Sequence, residues 1–324
     1  MVVTQRSPRV AALIVNWRSA AVLQRCLAAL AGQMRPFDRV LVVDNDPDCA
    51  EPLPIWSGAS AFMVLRMEAN LGFAAANNHG LGLCADCDYV ALINPDAFLA
   101  ADWLERMLDA ANRYPGAGSF ASQLVQDGDP SRLDGLGDAF HFSGAAWRTG
   151  HGELVREAGE EEIFSPCAAA ALYRRQAVLD VGGFDERFFC YMEDVDLGFR
   201  LRLAGWASVL IPSAVANHVG SATTGGKRSP FAVYHGHRNM VWCYVKNMPG
   251  PLLWLCLPAH LLMNLAVVCL YALRGQGLNI LRAKRDVLRG IPAIWRERRV
   301  IQSKRKVSCR EIWRVLDKRL WFRT

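Results

Sequence analysis

The chain has 324 residues, of which 52% are hydrophobic and 21% are charged, a composition that is typical of a globular enzyme and excludes disorder over most of its length. The net charge of +6 is unevenly distributed, because residues 274–324 hold 16 Lys and Arg against 4 Asp and Glu. This basic tail indicates a polyanionic partner, either lipid headgroups or nucleic acid.

Buried apolar runs alternate with helical patterns along the first third of the chain. The predicted strands cover residues 10–15, 39–43, 62–65 and 89–93, and the predicted helices cover 20–31, 74–83 and 103–111. This alternation predicts an α/β fold with a doubly wound, mostly parallel sheet. The polar residues that follow the predicted strands are Asn16, Asp44, Asn45, Asn94 and Asp96. Open α/β sheets bind ligands beyond the carboxyl ends of their strands, so a polar ligand is expected at this edge.

The amino terminus lacks the apolar segment of a secretory signal, since the run Val10–Val15 is too short. We therefore expect the catalytic part to face the cytoplasm. The ten cysteines are scattered among apolar neighbours, as expected of reduced, buried thiols. Cys84 and Cys87 form a lone CxxC without a second pair nearby, which disfavours a zinc or redox site.

The segment Asn70–Asn78 is a loop of small residues that leads into the second predicted helix. Small residues allow the backbone to approach a ligand, and the amides at a helix start favour anions. The segment lacks the GxGxxG pattern of dinucleotide-binding enzymes, which argues against a nicotinamide oxidoreductase.

Two further positions leave a structural and a chemical interpretation open. Asn94–Asp96 consists of turn formers, and a strand-ending turn is their commoner role. A carboxylate there can also hold Mg²⁺ or Mn²⁺, which need only one or two protein ligands when substrate phosphates complete the shell. His218 is a lone histidine, more often structural than a ligand, but the small residues Gly220–Thr224 that follow it leave open a position facing bound phosphates.

The stretch Gln126–Phe164 is rich in glycine and is predicted to be irregular, which for so long a loop indicates a functional or mobile segment. An acidic and aromatic segment follows, with its carboxylates at Asp185, Glu186, Glu193, Asp194 and Asp196. A helix that begins at Glu193 would pair Asp196 with Arg200 on one face. A solvated acidic helix start is the alternative, but the aromatic neighbours favour a cleft in which a carboxylate can act as a general base.

Together these segments resemble the family-2 glycosyltransferases of the GT-A fold, in particular the bacterial rhamnosyltransferase-like branch. The similar segments are Val15–Trp17, Val43–Asn45, Asn70–Asn77, Asn94–Asp96, Gly182–Asp185, Phe188–Asp196 with Arg200, and His218–Ser221. They occur in the order of the family and cover about residues 8–245. Asn-Pro-Asp departs from the Asp-x-Asp of the wider family but matches the rhamnosyltransferase-like branch.

The resemblance implies a role for each group of residues. The residues implied to bind the nucleotide-sugar donor are Asn16, Asp44, Asn45, Asn70, Gly72, Asn77, Asn94 and Arg200. Asp96 is implied to bind Mg²⁺ or Mn²⁺, and His218 is implied to be a further contact to the metal or to the diphosphate. Asp194 is implied to be the catalytic base of a single, inverting displacement, and Glu193 and Arg200 are expected to orient and brace the site.

We expect residues 1–245 to form the GT-A domain, with a nucleotide-sugar half at about 8–125 and an acceptor half at about 126–245. Residues 246–324 are expected to be an apolar and amphipathic helical region that associates with the membrane. The run Leu252–Leu273 is long enough to cross a bilayer. Pro258, His260 and the basic tail instead favour a helix or a re-entrant hairpin in the interface.

Two amphipathic segments support that expectation. The first has an apolar face formed by Ile280, Leu281, Val287, Leu288, Ile291, Ile294 and Trp295, and the second has one formed by Trp313, Leu316, Leu320 and Trp321. Packing on the enzyme's own core or on a second subunit is the alternative. Nucleic acid is disfavoured because no binding motif accompanies the charge.

The expected function is that of an inverting, metal-dependent glycosyltransferase at the cytoplasmic face of the cell membrane, peripheral or re-entrant. The preferred reaction moves rhamnose from dTDP-rhamnose to a hydroxyl of a lipid-linked or surface-polysaccharide acceptor. The alternatives are a UDP-hexose transferase of the same fold and a catalytically silent glycan- or nucleotide-sugar-binding subunit. The presence of Asp96, Asp194 and His218 argues against the silent subunit. A homodimer is compatible with the sequence.

Overall fold

The computed structural model of the chain describes residues 6–48, 53–220, 226 and 229–319. Its strands are β1 Val10–Asn16, β2 Arg39–Asp44, β3 Ala61–Arg66, β4 Tyr89–Ile93, β5 Ala97–Leu99, β6 Ala117–Gln126, β7 Asp129–Gly135, β8 Asp138–Phe140, β9 Ala146–Arg148, β10 Glu161–Glu162, β11 Ala170–Arg174 and β12 Ala207–His218. Its helices are α1 Ala20–Ala31, α2 Gly72–Gly82, α3 Trp103–Arg113, α4 Arg175–Asp180, α5 Glu193–Leu203, α6 Pro230–Asn247, α7 Gly250–Leu273, α8 Gly277–Ser303 and α9 Cys309–Val315.

One large sheet organises the fold, with strand order β10-β12-β6-β11-β4-β1-β2-β3. The strands β3, β2, β1 and β4 are mutually parallel, as are β6 and β12, whereas β11 runs antiparallel between these two groups. The short strands β5 and β7 pair with β12 and β6. The prediction of an α/β fold with a mostly parallel sheet is confirmed, and the four predicted strands are its β1 to β4.

Helices cover both faces of this sheet. Ala12 and Ile14 of β1 belong to one buried cluster with side chains of α1 and α3. Leu13 and Val15 belong to a second cluster with side chains of α2, α4 and α5. Successive side chains of a strand point to opposite faces, so an apolar run without alternation is buried on both sides. Because β1, β2 and β4 are parallel, their carboxyl ends share one edge of the sheet.

The glycine-rich stretch 126–164 is more ordered than its sequence predicts. It contains β7, which pairs antiparallel with β6, and the hairpin of β8 and β9. The expectation of an irregular loop is therefore wrong for these residues. Short strands rich in glycine and polar side chains carry no alternating pattern, since their partners rather than their own periodicity make them strands.

The carboxy-terminal helices share a hydrophobic cluster with the acidic segment. Phe199 of α5 packs in it with Trp242 of α6, Cys256 of α7 and Val287 of α8. The predicted boundary at residue 245 falls in the last turn of α6. The helices after this boundary are thus packed against the part of the chain that carries Glu193 and Asp194.

The run Leu252–Leu273 lies in one continuous helix, α7, with Pro258 inside it, so the alternative of a re-entrant hairpin is wrong. Its mean hydropathy is 2.0, and by length and composition it could cross a membrane. Its polar face is turned to the protein, where His260 Nδ1 bonds the Ser143 carbonyl at 2.7 Å. The apolar side chains exposed along α7 include Trp254, Leu255, Leu261, Leu262, Leu265 and Leu273.

The amphipathic helix α8 differs from its expected orientation. Ile280, Val287 and Ile294, which repeat every seven residues, are buried in the protein, whereas Leu281 and Leu288 of the same predicted face are exposed. The protein's own core thus covers most of the apolar stripe that was expected to face a membrane. Trp313 and Leu316 also pack on this core, and Leu320 and Trp321 lie outside the described residues.

Candidate active site

The first group of site residues lies where β4 and β12 end. Asp96 follows β4 in the turn before β5, and His218 is the last residue of β12. Pairing of β5 with β12 places His218 opposite Ala97. His218 Nε2 lies 3.4 Å from Asp96 Oδ1, and both residues are buried. The structure thus brings together the two residues that were implied to bind a metal; the remainder of their motif from Ser221 lies outside the described residues.

Asp134 joins this pair, although the sequence analysis did not select it. Its Oδ2 accepts a hydrogen bond from His218 Nδ1 at 2.8 Å. Burial favours a raised pKa of Asp134, but the hydrogen bond from His218 and the charge of Arg148 outweigh it and lower the pKa. Burial likewise favours a lowered pKa of His218, but the carboxylates of Asp134 and Asp96 raise it. In the sequence, Asp134 is marked only as a carboxylate that directly precedes a glycine, Gly135.

Arg148 connects this group to the acidic segment. Its Nη1 donates to Asp134 Oδ2, and its Nη2 lies 2.8 Å from Cys167 Sγ. One potential ligand atom each from Asp138, Cys167 and Asp194 lie within 4.8 Å of one another. Burial favours a lowered pKa of Arg148, but these surrounding acidic groups raise it. One guanidinium therefore spans the two halves of the site, and the sequence analysis missed it.

Glu193 and Asp194 begin α5. Asp194 is half-buried, its Oδ1 accepts from the Val195 amide at 2.8 Å, and its Oδ2 accepts from the Ala168 amide at 3.3 Å. Burial raises the pKa of Asp194, although these amides oppose the shift. Glu193 is buried, and burial together with the neighbouring Asp194 raises its pKa well above its ordinary value. A raised carboxylate pKa suits a general base.

The loop before this pair has an unusual backbone. Phe189, Tyr191 and Met192 have φ angles of 63°, 68° and 69°, a region that costs a non-glycine residue on the order of 1–3 kcal/mol. The buried side chain of Asn239 in α6 compensates for this strain. Its Nδ2 lies 2.8, 2.9 and 2.7 Å from the carbonyl oxygens of Phe188, Cys190 and Tyr191. The position of Glu193 and Asp194 therefore depends on a helix almost fifty residues further along the chain.

A buried charge network lies behind α5. Lys246 Nζ is 2.6 Å from Asp185 Oδ2 and 2.7 Å from Asp196 Oδ1. Arg200 Nε donates to Asp196 Oδ2 at 2.8 Å, as the predicted spacing requires, and Asn247 Nδ2 donates to Oδ1 at 2.7 Å. Arg200 is only 5% exposed. This placement favours the bracing role of Arg200 over direct contact with the donor.

Asn16 and Asp44 end the neighbouring strands β1 and β2 and are register partners. Asn16 Nδ2 donates to Asp44 Oδ1 at 3.0 Å, and both residues are buried. Asn16 Oδ1 is also buried and finds no hydrogen-bond partner within the described parts of the chain. An unpartnered acceptor at the carboxyl edge of the sheet supports the prediction that a polar ligand binds here.

Asn45 and Asn70 shape the loop before α2. Asn45 Nδ2 donates to Asn70 Oδ1 at 2.9 Å, and the Gly72 amide donates to the same oxygen at 2.9 Å. Gly72 has φ +82°, and a Cβ there would lie 2.5 Å from the Phe189 ring. Gly72 is therefore required for close approach of the loop that precedes Glu193, a role that its sequence context did not indicate.

The remaining predicted donor residues make internal contacts. The buried Asn77 donates from Nδ2 to the Phe73 carbonyl at 2.8 Å within α2. The backbone N–H of Asn94 donates to the Ala169 carbonyl at 2.8 Å, which fixes the turn that carries Asp96. Both residues lie near the expected edge of the sheet, and their part in donor binding stays a prediction.

Solved structures of known proteins share this fold. GalNAc-T7 with UDP, GalNAc and Mn²⁺ aligns with a TM-score of 0.57 at 11% identity, over 75% of this chain and 48% of that one. The mannosyltransferase PcManGT from Pyrobaculum calidifontis, in complex with GDP-Man and Mn²⁺, aligns with a TM-score of 0.52 at 15% identity, over 93% and 85% of the two chains. These likenesses confirm the predicted GT-A fold.

Sequence comparison gives the family. The family model described as "Glycosyl transferase family 2" matches residues 12–182. The N-acetylglucosaminyl-diphospho-decaprenol L-rhamnosyltransferase of Mycobacterium tuberculosis is 31% identical in an alignment of 286 residues that covers 77% of this chain and 91% of the relative. The chain therefore belongs to glycosyl transferase family 2, in its rhamnosyltransferase-like branch, and is a glycosyltransferase.

Proposed function

We propose that the chain is an inverting, metal-dependent glycosyltransferase that moves rhamnose from dTDP-rhamnose to a hydroxyl of a lipid-linked acceptor. The observation that carries this proposal is the position of Arg148. It contacts both Asp134, the partner of His218, and Cys167, which lies beside Asp194. The contacts of Arg148 therefore link the candidate metal ligands to the candidate base.

Asp96 and His218 have the chemistry of a site for Mg²⁺ or Mn²⁺. Asp96 supplies a buried carboxylate, and the buried His218 Nε2 faces it without a hydrogen-bond partner among the described residues. A divalent cation bound there neutralises negative charge on the diphosphate leaving group. Two protein ligands suffice for such an ion, since the phosphates of a nucleotide sugar complete its shell.

Asp194 acts as the base in this proposal. The acceptor hydroxyl oxygen attacks the anomeric carbon, its proton passes to the Asp194 carboxylate, and the bond from that carbon to the diphosphate oxygen breaks. The nucleoside diphosphate leaves with the electron pair, and one displacement inverts the anomeric centre. Burial and the neighbouring Asp194 raise the pKa of Glu193 well above its ordinary value, so Glu193 takes up a proton more readily than a solvated glutamate does.

Two observations support a lipid-linked acceptor at the cytoplasmic membrane surface. The name of the M. tuberculosis relative gives a diphospho-decaprenol acceptor, and that relative aligns over 91% of its length. Helix α7 is fixed to the protein by its polar face and exposes an apolar face that includes Leu261 and Leu265. A helix with this arrangement suits peripheral insertion into the interface of a bilayer, and the basic tail suits anionic lipids.

Thermal shift with dTDP, UDP, GDP and NAD⁺, each with and without Mn²⁺, tests the donor. Stabilisation by dTDP that depends on Mn²⁺ is expected, at about 2.7 kcal/mol when the ligand is at 100 times its Kd. Stabilisation by UDP alone would favour the alternative in which the donor is a UDP-hexose. Stabilisation by no nucleotide would favour the silent subunit.

Flotation with vesicles tests the membrane surface separately. Wild-type protein is expected to float with vesicles that contain anionic phospholipid and to remain unbound to neutral phosphatidylcholine at moderate salt. The double variant Leu261→Glu, Leu265→Glu should lose flotation while retaining its thermal stability, because both side chains are exposed. Equal flotation of the variant and the wild type would show that the exposed apolar face of α7 is not the membrane contact.

A further inference from the structure

Asp134 reaches the site through an irregularity in strand pairing. Strand β6 lies between β12, which carries His218, and β7, which carries Asp134. Leu124 pairs with Gly135 and the next residue, Val125, pairs with Leu133, so Asp134 is an extra residue in β7. Such β-bulges redirect a side chain and are frequent beside active sites. The bulge accounts for an aspartate that points to a histidine two strands away.

The contact of Asp134 determines which nitrogen of His218 is available. Nδ1 lies 2.8 Å from Asp134 Oδ2, and a carboxylate can only accept, so Nδ1 carries the proton. Nε2 is buried, 3.4 Å from Asp96 Oδ1, and has no hydrogen-bond partner within the residues that the structure describes. A histidine that merely linked two carboxylates would donate from both nitrogens. His218 makes a hydrogen bond from Nδ1, whereas its Nε2 approaches Asp96 at 3.4 Å without hydrogen-bond geometry.

Asp134 is itself fixed in place. Arg148 Nη1 donates to Asp134 Oδ2, and His151 Nδ1 lies 3.3 Å from Oδ1. Gly135 provides the space for this arrangement, because a Cβ there would lie 2.2 Å from Arg148 Cδ. Asp134 is 5% exposed, so its carboxylate has little freedom to leave His218. A rigid, charged acceptor of this kind orients a ligand histidine and raises its basicity.

We infer that Asp134 is a positioning residue that holds His218 with Nε2 directed, beside Asp96, at the divalent cation. The inference rests on the proposed metal dependence and adds a residue outside the motifs that indicated the family. Asp134 contacts neither the cation nor the donor; it acts through His218. Removal of such an outer partner typically weakens metal binding by about 10–100-fold.

The test is a titration of the full chain with Mn²⁺ alone, in which electron paramagnetic resonance measures the free ion. Asp134→Asn keeps the shape and an accepting oxygen but loses the charge, and Asp134→Ala loses both. Asp129→Asn, on the same strand and with a half-exposed carboxylate, is the matched control. His218→Ala reports the loss of the ligand itself. Each variant is first melted, and titrations are run well below its Tm.

The expected order of Mn²⁺ affinity is wild type equal to Asp129→Asn, then Asp134→Asn, then Asp134→Ala, with about tenfold or more between wild type and Asp134→Ala. Wild-type affinity in both Asp134 variants, together with weak binding by His218→Ala, would overturn the inference but leave the metal site intact. A wild-type chain that leaves Mn²⁺ free, and that dTDP stabilises equally with and without Mn²⁺, would overturn the metal dependence and this inference together, while glycosyl transfer itself could still be assayed in EDTA.

Discussion

The two parts of the candidate site are constructed in different ways. On one side, Asn16 and Asp44 end adjacent parallel strands and bond each other across a single register position. On the other, Glu193 and Asp194 follow a loop with three left-handed residues, and the side chain of Asn239 bonds that loop from α6. The first side follows from the sheet alone, whereas the second requires tertiary contacts over about fifty residues.

The side chains of the two parts are therefore held in place by different kinds of contact. Side chains at strand ends are positioned by backbone pairing, so they tolerate the loss of one another's side chains. The acidic pair is positioned by buried polar side chains of α6, including Lys246 and Asn247, which contact Asp196 directly. We therefore expect that substitutions in α6 disturb catalysis and stability without contact with any substrate, and that the strand-end side is less sensitive to remote changes.

The largest effect is expected for Asp194→Asn. An amide cannot accept the acceptor proton, so kcat should fall by about 10²–10⁴-fold, as for other general bases. Donor binding should remain, because the strand-end side is unchanged. Transfer assays and dTDP titrations of the same protein measure both quantities. Asp180→Asn, an exposed aspartate at the end of α4, is the control and should retain wild-type activity. Turnover close to wild type in Asp194→Asn would exclude Asp194 as the base.

Next in size is the loss of stability in Lys246→Met. Lys246 is 1% exposed and lies between Asp185 and Asp196, so its removal leaves each of these buried carboxylates with one cationic partner instead of two, Arg187 for Asp185 and Arg200 for Asp196. Because one cation remains at each carboxylate, the expected cost is that of a lost buried hydrogen-bond partner, about 1–3 kcal/mol of unfolding free energy. Urea denaturation measures it, with Lys304→Met on the exposed end of α8 as the control. A loss below about 1 kcal/mol, the range of exposed pairs, would show that the network does not support α5.

Asn239→Ala is expected to have a smaller effect that is more specific to catalysis. The carbonyls of Cys190 and Tyr191 lose the Asn239 donor, whereas the Phe188 carbonyl keeps donors from Arg238 and from the Cys190 backbone N–H. Each buried unsatisfied carbonyl costs about 1–3 kcal/mol unless water replaces the donor. The loop should relax, so kcat should fall at least tenfold while KM for the donor changes little. Asn112→Ala on an exposed face of α3 should change neither quantity. An equal change in kcat and donor KM would contradict separate support of the two sides.

The final prediction concerns the pH dependence of α6. Burial, together with Arg238 and Lys284 respectively, lowers the pKa of His235 and of His237 to about 4. Both histidines are neutral when folded and gain protons more readily when unfolded. Their contribution to stability is therefore complete above about pH 6.5 and is lost as the pH falls towards 4.

Hydrogen exchange at pH 7 and pH 5, corrected for intrinsic rates, measures this effect. Amides of α6 should lose protection at pH 5 before those of β1 and β2, whose described side chains are apolar over most of their length. Equal loss in α6 and the sheet would mean that the two sides unfold as one unit.

The sequence alone predicted the strands β1 to β4, the first three helices and the edge at which Asn16, Asp44 and Asp96 lie. It also predicted that Asp196 would pair with Arg200 if a helix began at Glu193, and the structure has both that helix start and that pair. These features depend on local periodicity and on short spacings along one element, which the sequence displays directly. The family resemblance was also confirmed, because it depends on short ordered motifs that the sequence displays directly.

Tertiary structure alone decided the parts that depend on partners. Asp134 and Arg148 became site residues only through a β-bulge and a hairpin, and Gly72 proved to make room for Phe189. The apolar face of α8 was predicted correctly as a face but was assigned to a membrane, because periodicity shows that a face is apolar without showing what covers it. Strand pairing, bulges and helix packing join residues that are distant in the chain, and a single sequence carries no local signal for such contacts.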